Sequence, residues 1–242
     1  MTITYLGLLP TRKWSVTKRG GTIVLKLLNN LLSVQEVAKS YQQALEEKKP
    51  ISHVNLGDGE IIFLAYQRIP GFENFPTSPS GLDPYAIYKS NKQIRDEVLD
   101  GVLHSDIIGM PASLYTENWP EAEAFLDYYS VPVQRICDSY MGRFLHNTGL
   151  VYEVLKNKRV YLLGNSVLNL VPLLEKNQIE LAGYTTVNYF EDIPRVKECI
   201  AKTDFDMALI SAGIPTLILS PWITKTLGRC AFDFGCAVHY LN

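Results

Sequence analysis

Apolar and polar residues fall into blocks along this chain, and the blocks are most regular in the carboxy-terminal third. Arg159 to Leu163 reads as an apolar strand closed by Gly164-Asn165-Ser166, with a helix from Val167 to about Lys176. Ile179 to Thr185 is the next strand and Ile193 to Lys202 the next helix. Met207 to Ile210 is a third strand, followed by Ser211-Ala212-Gly213 and a helix ending near Gly228. Cys230 to Phe234 is a fourth strand. Strands alternating with helices over short links predict a parallel sheet covered by helices. Ligands of such sheets bind outside the carboxyl ends of the strands. Here those ends are Gly164-Asn165-Ser166, Ser211-Ala212-Gly213 and Asp233-Phe234-Gly235.

Upstream the pattern is less regular. Ile23 to Lys48 reads as helical in one or two pieces. Val34, Val37, Ala38, Tyr41 and Leu45 recur at helical spacing, and Ser33 with Glu36 forms a capping-box pair. Lys48-Lys49-Pro50 ends that segment. Ile51 to Leu56 is a short strand stopping at Gly57-Asp58-Gly59-Glu60, and Ile61 to Gln67 opens a helix. Pro70, Gly71, Pro76, Pro79, Gly81 and Pro84 mark a long loop, of the kind that serves as a lid or binding loop. Gln93 to Leu103 is helical, His104 to Gly109 strand-like and Glu121 to Tyr129 helical. Gln134 to Phe144 reads as a further helix carrying Arg143.

Composition narrows the function classes. At 242 residues the chain is long enough for about 1.6 domains. Lys+Arg 23 against Asp+Glu 25 gives a net charge of -2, without the basic excess of a nucleic-acid binder. With 47% hydrophobic residues, the chain can bury a full core. Cys137, Cys199, Cys230 and Cys236 form no CxxC pair, which is poor material for zinc or a disulfide framework and suits a reducing cytoplasm. Pro10, Arg12, Lys13, Lys18 and Arg19 interrupt the amino terminus before any signal-peptide core forms. The apolar stretch Met207 to Thr224 is broken by Gly213, Pro215 and Pro221, which suits a buried strand, turn and helix rather than a membrane span. No acidic residue precedes Glu36, whereas Arg12, Lys13, Lys18, Arg19 and Lys26 do. That asymmetry reads as a solvated or partner-docking arm, or as a weak contact with an anionic membrane surface.

The Gly57-Asp58-Gly59-Glu60 turn carries the strongest local chemistry. Two carboxylates flanking a glycine can converge on one hard cation such as Mg²⁺ or Mn²⁺, which keeps sites for water and phosphate oxygens. Glycines there let a bulky diphosphate approach the backbone. The simpler reading is equally concrete: Asp-Gly is a common turn dipeptide, and Glu60 favours a helix amino end. Gly164-Asn165-Ser166 opens a helix and could bind a phosphate through its N–H groups, or be only a tight turn. There is no GxGxxG, no GxxxxGK[ST] and no GxSxG, so dinucleotide, P-loop and serine-hydrolase chemistry are disfavoured. His53, His104, His146 and His239 form no close pair and read as structural. An arginine such as Arg143, beside Asp138 and Tyr140, could clamp a diphosphate or sit in a surface ion pair. Tyr115, Trp119, Tyr128 and Tyr129 could stack on sugars, or pack a helix.

Taken together, these elements resemble the GT-D-fold glycosyltransferases. Ser52 to Glu60 resembles the strand and R-x-G-D-G-E signature that opens that family's domain. Ile108 to Pro111 resembles its G-I-P element, Asp138 to Phe144 a segment with an arginine near its end, and Met207 to Gly213 and Phe232 to Gly235 two of its strand ends. The likeness runs in consistent order from residue 50 to 238, and only the GDGE element is specific. Asn55 stands where the family usually has arginine, and Cys236 where many members have histidine.

The resemblance implies an α/β fold with a Rossmann-like, mostly parallel sheet flanked by helices. Residues 1–49 would be a basic helical extension and 50–242 the transferase domain. It implies a cytoplasmic, bacterial, Mn²⁺- or Mg²⁺-dependent enzyme. Such an enzyme moves a sugar from a nucleotide-diphosphate donor, a UDP-sugar, to a hydroxyl of a glycan or glycoprotein acceptor. Asp58 and Glu60 would hold the metal, with Glu60 the more critical as the last residue before the helix. Asn55, Gly57, Gly59, Arg143 and Asn165 would contact the nucleotide or its phosphates, and Asp233 would activate the acceptor. The alternative is a non-catalytic, nucleotide-sugar-binding subunit of a transferase complex, motivated by Asn55 and Cys236. Self-association or pairing with a second transferase stays open.

Overall fold

The computed structural model describes residues 31–70, 88, 91–111, 119–131 and 133–241. The basic arm, most of the 70–84 loop and Tyr115 therefore lie outside the described residues. Seven strands form one sheet: β1 Ser52–Asn55, β2 Ile107–Met110, β3 Ile136–Asp138, β4 Arg159–Leu163, β5 Glu180–Thr185, β6 Met207–Ile210 and β7 Cys230–Asp233. Their order is β3-β2-β1-β7-β6-β4-β5, and every pairing is parallel. β1, β2, β6 and β7 are buried along their whole length. This is why β2 and β6 read in the sequence as unbroken apolar runs rather than alternating ones, whereas β1 buries the polar Ser52, His53 and Asn55 and β7 ends in the buried Asp233.

The helices, in chain order, are α1 Val34–Glu47, α2 Asp58–Ala65, α3 Lys92–Leu103, α4 Trp119–Tyr129, α5 Met141–Asn147, α6 Leu150–Leu155, α7 Val171–Lys176, α8 Ile193–Ala201 and α9 Pro215–Trp222. Alternate strand residues point to opposite faces and so feed two cores. Val54, Ile108, Tyr161, Leu163 and Ala208 join the core under α2, α3, α4, α8 and α9. Ile107, Val160, Leu162, Leu209 and Phe232 join the core under α1, α5, α6 and α7. Gly101 of α3 brings that helix against the Leu217 carbonyl of α9. α9 runs on through a π-helical turn, Ile223–Leu227, and stops at Gly228 in the left-handed conformation, near the expected end.

Two expectations need correction. The segment Gln134 to Phe144 is not one helix: it contains edge strand β3 and then, after Tyr140, the helix α5. Three residues are too few to show a strand period, and what makes them a strand is pairing with β2 on one side and the Leu32 bridge on the other. α6 had no sequence expectation. Finally, α1 is not an extension. Its Ser33–Glu36 capping box forms as expected, and Val34, Val37, Ala38, Tyr41 and Ala44 are buried on the sheet. Tyr41 donates its hydroxyl to the Ala231 carbonyl at 2.8 Å and meets Phe232 edge-on. Residues 34–47 thus share the core of the domain that the sequence reading began at residue 50. All four cysteines are unpaired. Among the described residues no helix is long and apolar enough to cross a membrane.

Candidate functional site

The strand order determines where a ligand can enter. β1 and β7 are neighbours, but their connections leave in opposite directions. The chain passes from β1 to α2 on one face, and from β7 into a 3-10 turn, Gly235–Tyr240, whose Ala237 and Val238 pack on the other. Loops that diverge from adjacent parallel strands leave a crevice at their carboxyl ends. A cleft of about 490 Å³ lies there. Asn55, Gly57 and Glu60 line it from the β1 exit, Pro111 from β2, and Ser139 and Tyr140 from β3. Ser166 comes from the β4 exit, Ser211 and Gly213 from β6, and Asp233, Gly235, Cys236 and His239 from β7.

Asp233 forms the floor. Its Oδ2 accepts the Asn55 N–H at 2.9 Å and its Oδ1 the Gly235 N–H at 2.9 Å, while Asn55 Nδ2 donates to the Asp233 carbonyl at 2.8 Å. Burial pushes its carboxyl up to about 7, and the nearby Glu60 charge adds to the rise. The two N–H donors oppose it. Asn55 Oδ1 is buried without a hydrogen-bond partner and lies over Gly109, where any Cβ would overlap it.

The GDGE turn does both things its sequence allowed. α2 begins at Asp58, so Glu60 sits within the first helical turn rather than before the helix. Its carboxylate accepts the Gly57 N–H at 3.0 Å and also lines the cleft. A Cβ on Gly57 would lie 2.8 Å from Glu60 Oε2, so glycine there makes room for the carboxylate. A Cβ on Gly59 would meet open space. Gly59 does not line the cleft. Asp58 opens the helix, and its side chain lies outside what the structure describes.

Two expected phosphate contacts sit at the margin. Arg143 is exposed on α5 and outside the cleft lining, yet its charge is felt there. Burial pushes the Cys236 thiol up, Glu60 and Asp233 add to this, and Arg143 opposes it. Gly142 allows that approach, since its Cβ would lie 2.8 Å from the Phe234 carbonyl. Asn165 is exposed and donates Nδ2 to Asn188 Oδ1 at 2.7 Å, tying the β4 and β5 exits together. Its neighbour Ser166 is the residue that faces the cleft. Tyr129 packs with Phe125 on α4 and the exposed Tyr128 meets Tyr129 edge-on, neither of them lining the cleft, and the Trp119 side chain lies outside the description. His53 is structural: it stacks on Phe232 at 4.5 Å, approaches Cys137 Sγ at 3.3 Å, and burial lowers its pKa to about 3.

Sequence reasoning missed Ser139, Tyr140 and His239 as cleft residues, whereas Ser166 was reached through the β4 exit. The signal for Ser139 and Tyr140 was the end of β3, hidden while that segment read as helix. His239 carried no signal, because only the turn after β7 swings it back over the cleft.

The cleft's donor chemistry fits a hard divalent cation. Glu60 and Asp233 are two carboxylates close enough to repel, a situation that a dication relieves. No lysine or arginine lines the cleft among the described residues. No cluster of three His, Cys, Asp or Glu side chains suited to a metal occurs among those residues either. A cation held by one or two carboxylates keeps positions for phosphate oxygens, as Mg²⁺ and Mn²⁺ do.

Comparison with known proteins agrees with this architecture. The family model for the GT-D fold-like domain matches residues 32–241, beginning just ahead of α1. No curated protein sequence matches the chain. A solved structure described as having shown that "the highly conserved domain of unknown function 1792 has a distinct glycosyltransferase fold" superposes with a TM-score of 0.50 at 17% identity. It covers 88% of this chain and 81% of that one. A selenomethionine-substituted structure of the same domain gives a TM-score of 0.50 at 16% identity, over 89% of this chain and 82% of that one. At these identities the solved structures speak for the fold alone, a glycosyltransferase fold. With the family model covering nearly every described residue, the chain belongs to the GT-D fold-like domain family.

Proposed function

We propose that this protein is a glycosyltransferase that takes a sugar from a nucleotide-diphosphate donor, a UDP-sugar, and places it on a hydroxyl of a glycan or glycoprotein acceptor. The observation that carries this reading is the β1–β7 crevice, which brings Glu60 and Asp233 together at the carboxyl ends of the central strands. A diphosphate brings negative charge into a cleft whose described lining holds no lysine or arginine. A bound cation would compensate that charge, with Arg143 at the rim. Asp58 and Glu60 would hold Mn²⁺ or Mg²⁺, which supplies positive charge to the leaving diphosphate. The N–H groups at the β4 exit, beside Ser166, would add donors to it. Asp233 would take the acceptor hydroxyl's proton as that oxygen bonds to the anomeric carbon and the bond to the diphosphate oxygen breaks. A carboxyl near pH 7 suits that role.

Thermal shift against UDP and a panel of nucleotide sugars, with and without Mn²⁺, tests this. UDP at a hundred times its dissociation constant should stabilise the fold by about 2.7 kcal/mol. The effect should need Mn²⁺ and vanish in Glu60→Gln. No metal-dependent shift with any nucleotide would refute it.

One observation favours a second reading, a donor-binding subunit without transfer activity. Where the family usually has arginine, this chain has Asn55, whose amide donates to the Asp233 carbonyl. That reading predicts the same UDP binding but no donor hydrolysis or transfer with any acceptor.

A further inference from the structure

The β1–β7 ladder stops early. Its registered pairs are Ser52 with Ala231 and His53 with Phe232, whereas on its other side β1 stays paired with β2 as far as Asn55 and Gly109. Beyond His53, side chains replace the main-chain bonds between β1 and β7. The Asn55 N–H goes to the Asp233 carboxylate instead of a β7 carbonyl, and the Asn55 amide goes to the Asp233 carbonyl. The two residues thus bond each other crosswise, holding the strand ends apart where the cleft begins. Two glycines accommodate the pair. Gly109 leaves space for Asn55 Oδ1, and a Cβ on Gly235, at φ +58°, would lie 3.1 Å from Asn55 Nδ2. With one N–H on each oxygen, the Asp233 carboxylate has a single orientation, and its remaining lone pairs are left for another partner.

We propose that Asn55 is a positioning residue: it acts through Asp233, orienting that carboxylate towards the acceptor hydroxyl, and does not contact the nucleotide. The proposal rests on the glycosyltransferase reading above. It assigns to Asn55 a part in turnover rather than in donor affinity, since its backbone N–H and one of its amide N–H groups are spent on Asp233.

The test is a kinetic double-mutant cycle on the full chain, using whichever UDP-sugar the wild type turns over, with UDP affinity measured in Mn²⁺. Asn55→Ala keeps the backbone N–H on the carboxylate but loses the amide bond to the Asp233 carbonyl, so kcat should fall up to about tenfold, the worth of one neutral hydrogen bond, while donor KM and UDP affinity stay within about twofold. Asp233→Asn should lower kcat further, and adding Asn55→Ala to it should cost nothing more, as for residues that act as a unit. Asn55→Ser and Gly109→Ala, which disturb the same pair from its two sides, carry the test should Asn55→Ala not fold. Equal loss of UDP affinity and turnover in the Asn55 variants would overturn the positioning role, and so would multiplicative losses in the double mutant. A wild type that binds no UDP and turns over no nucleotide sugar would instead defeat the transferase reading itself.

Discussion

Replacing Asp233 with asparagine should change how stability depends on pH, and the direction follows from the cleft floor. Burial, reinforced by Glu60, raises the native carboxyl from an ordinary 3.8 to about 7. Below about pH 4 the group is protonated in native and unfolded chains alike, and its contribution to stability is fully present. Between those two values the unfolded chain releases the proton and the native protein keeps it. Each pH unit then removes about 1.4 kcal/mol, until the native group ionises near pH 7. The whole gap of about 3 units corresponds to about 4 kcal/mol. Asp233→Asn removes this titration. It also loses one acceptor for the Asn55 or Gly235 N–H, a cost of about 1–3 kcal/mol that does not vary with pH. The absolute difference between variant and wild type is therefore not the readout; its slope is. Urea unfolding of both proteins from pH 4.5 to 8, with EDTA to remove divalent cations, isolates that slope because the other groups cancel. The variant should gain on the wild type by about 3 kcal/mol up to pH 7 and then level off. A flat difference, or one that grows as pH falls, would refute the buried carboxyl. Glu60→Gln should flatten the wild-type slope in part.

Other expectations are simpler. His53→Phe should remove a loss of stability on acidification. Native His53 stays neutral down to about 3, while the unfolded chain protonates below 6.5, so wild-type stability falls as pH drops through that window; denaturant melts at pH 4 and pH 7 compare the two. Gly101→Ala should cost at least about 2 kcal/mol in urea unfolding, because its methyl would overlap the Leu217 carbonyl at the contact of α3 and α9. Tyr41→Phe should cost about 1 kcal/mol by the same measurement, through loss of its hydrogen bond to the Ala231 carbonyl.

What could be read in advance differed between the two halves of the chain. β4, β6 and β7 are predictable because each is largely an apolar run bounded by glycine, serine or charge, and because strands buried on both faces need no alternation; β5, a partly exposed edge strand, is predictable from its place between two helices. β3 is not predictable, since its three residues become a strand only by pairing with β2 and Leu32. α1 shows the same difference at the level of domains. Its capping box and apolar stripe are visible in the sequence, but that the stripe covers Phe232 and Ala231, some 190 residues away, is not. In the cleft, Glu60 and Asp233 are recognisable as carboxylates at turn and strand ends. Their mutual influence is not, because it depends on which strands are neighbours.

The sequence alone determines the local choices: apolar runs that can only be buried, glycines and prolines that end helices, and carboxylates at positions where chains turn. These follow from solvent exclusion and backbone sterics acting over a few residues. Only the tertiary structure decides that β1 lies beside β7, so that residues 55 and 233 bond each other, a buried carboxyl is held near pH 7, and a crevice opens above it. The physical reason is that strand order is set by packing over the whole sheet, and a polar group's energy is set by whatever that packing places around it.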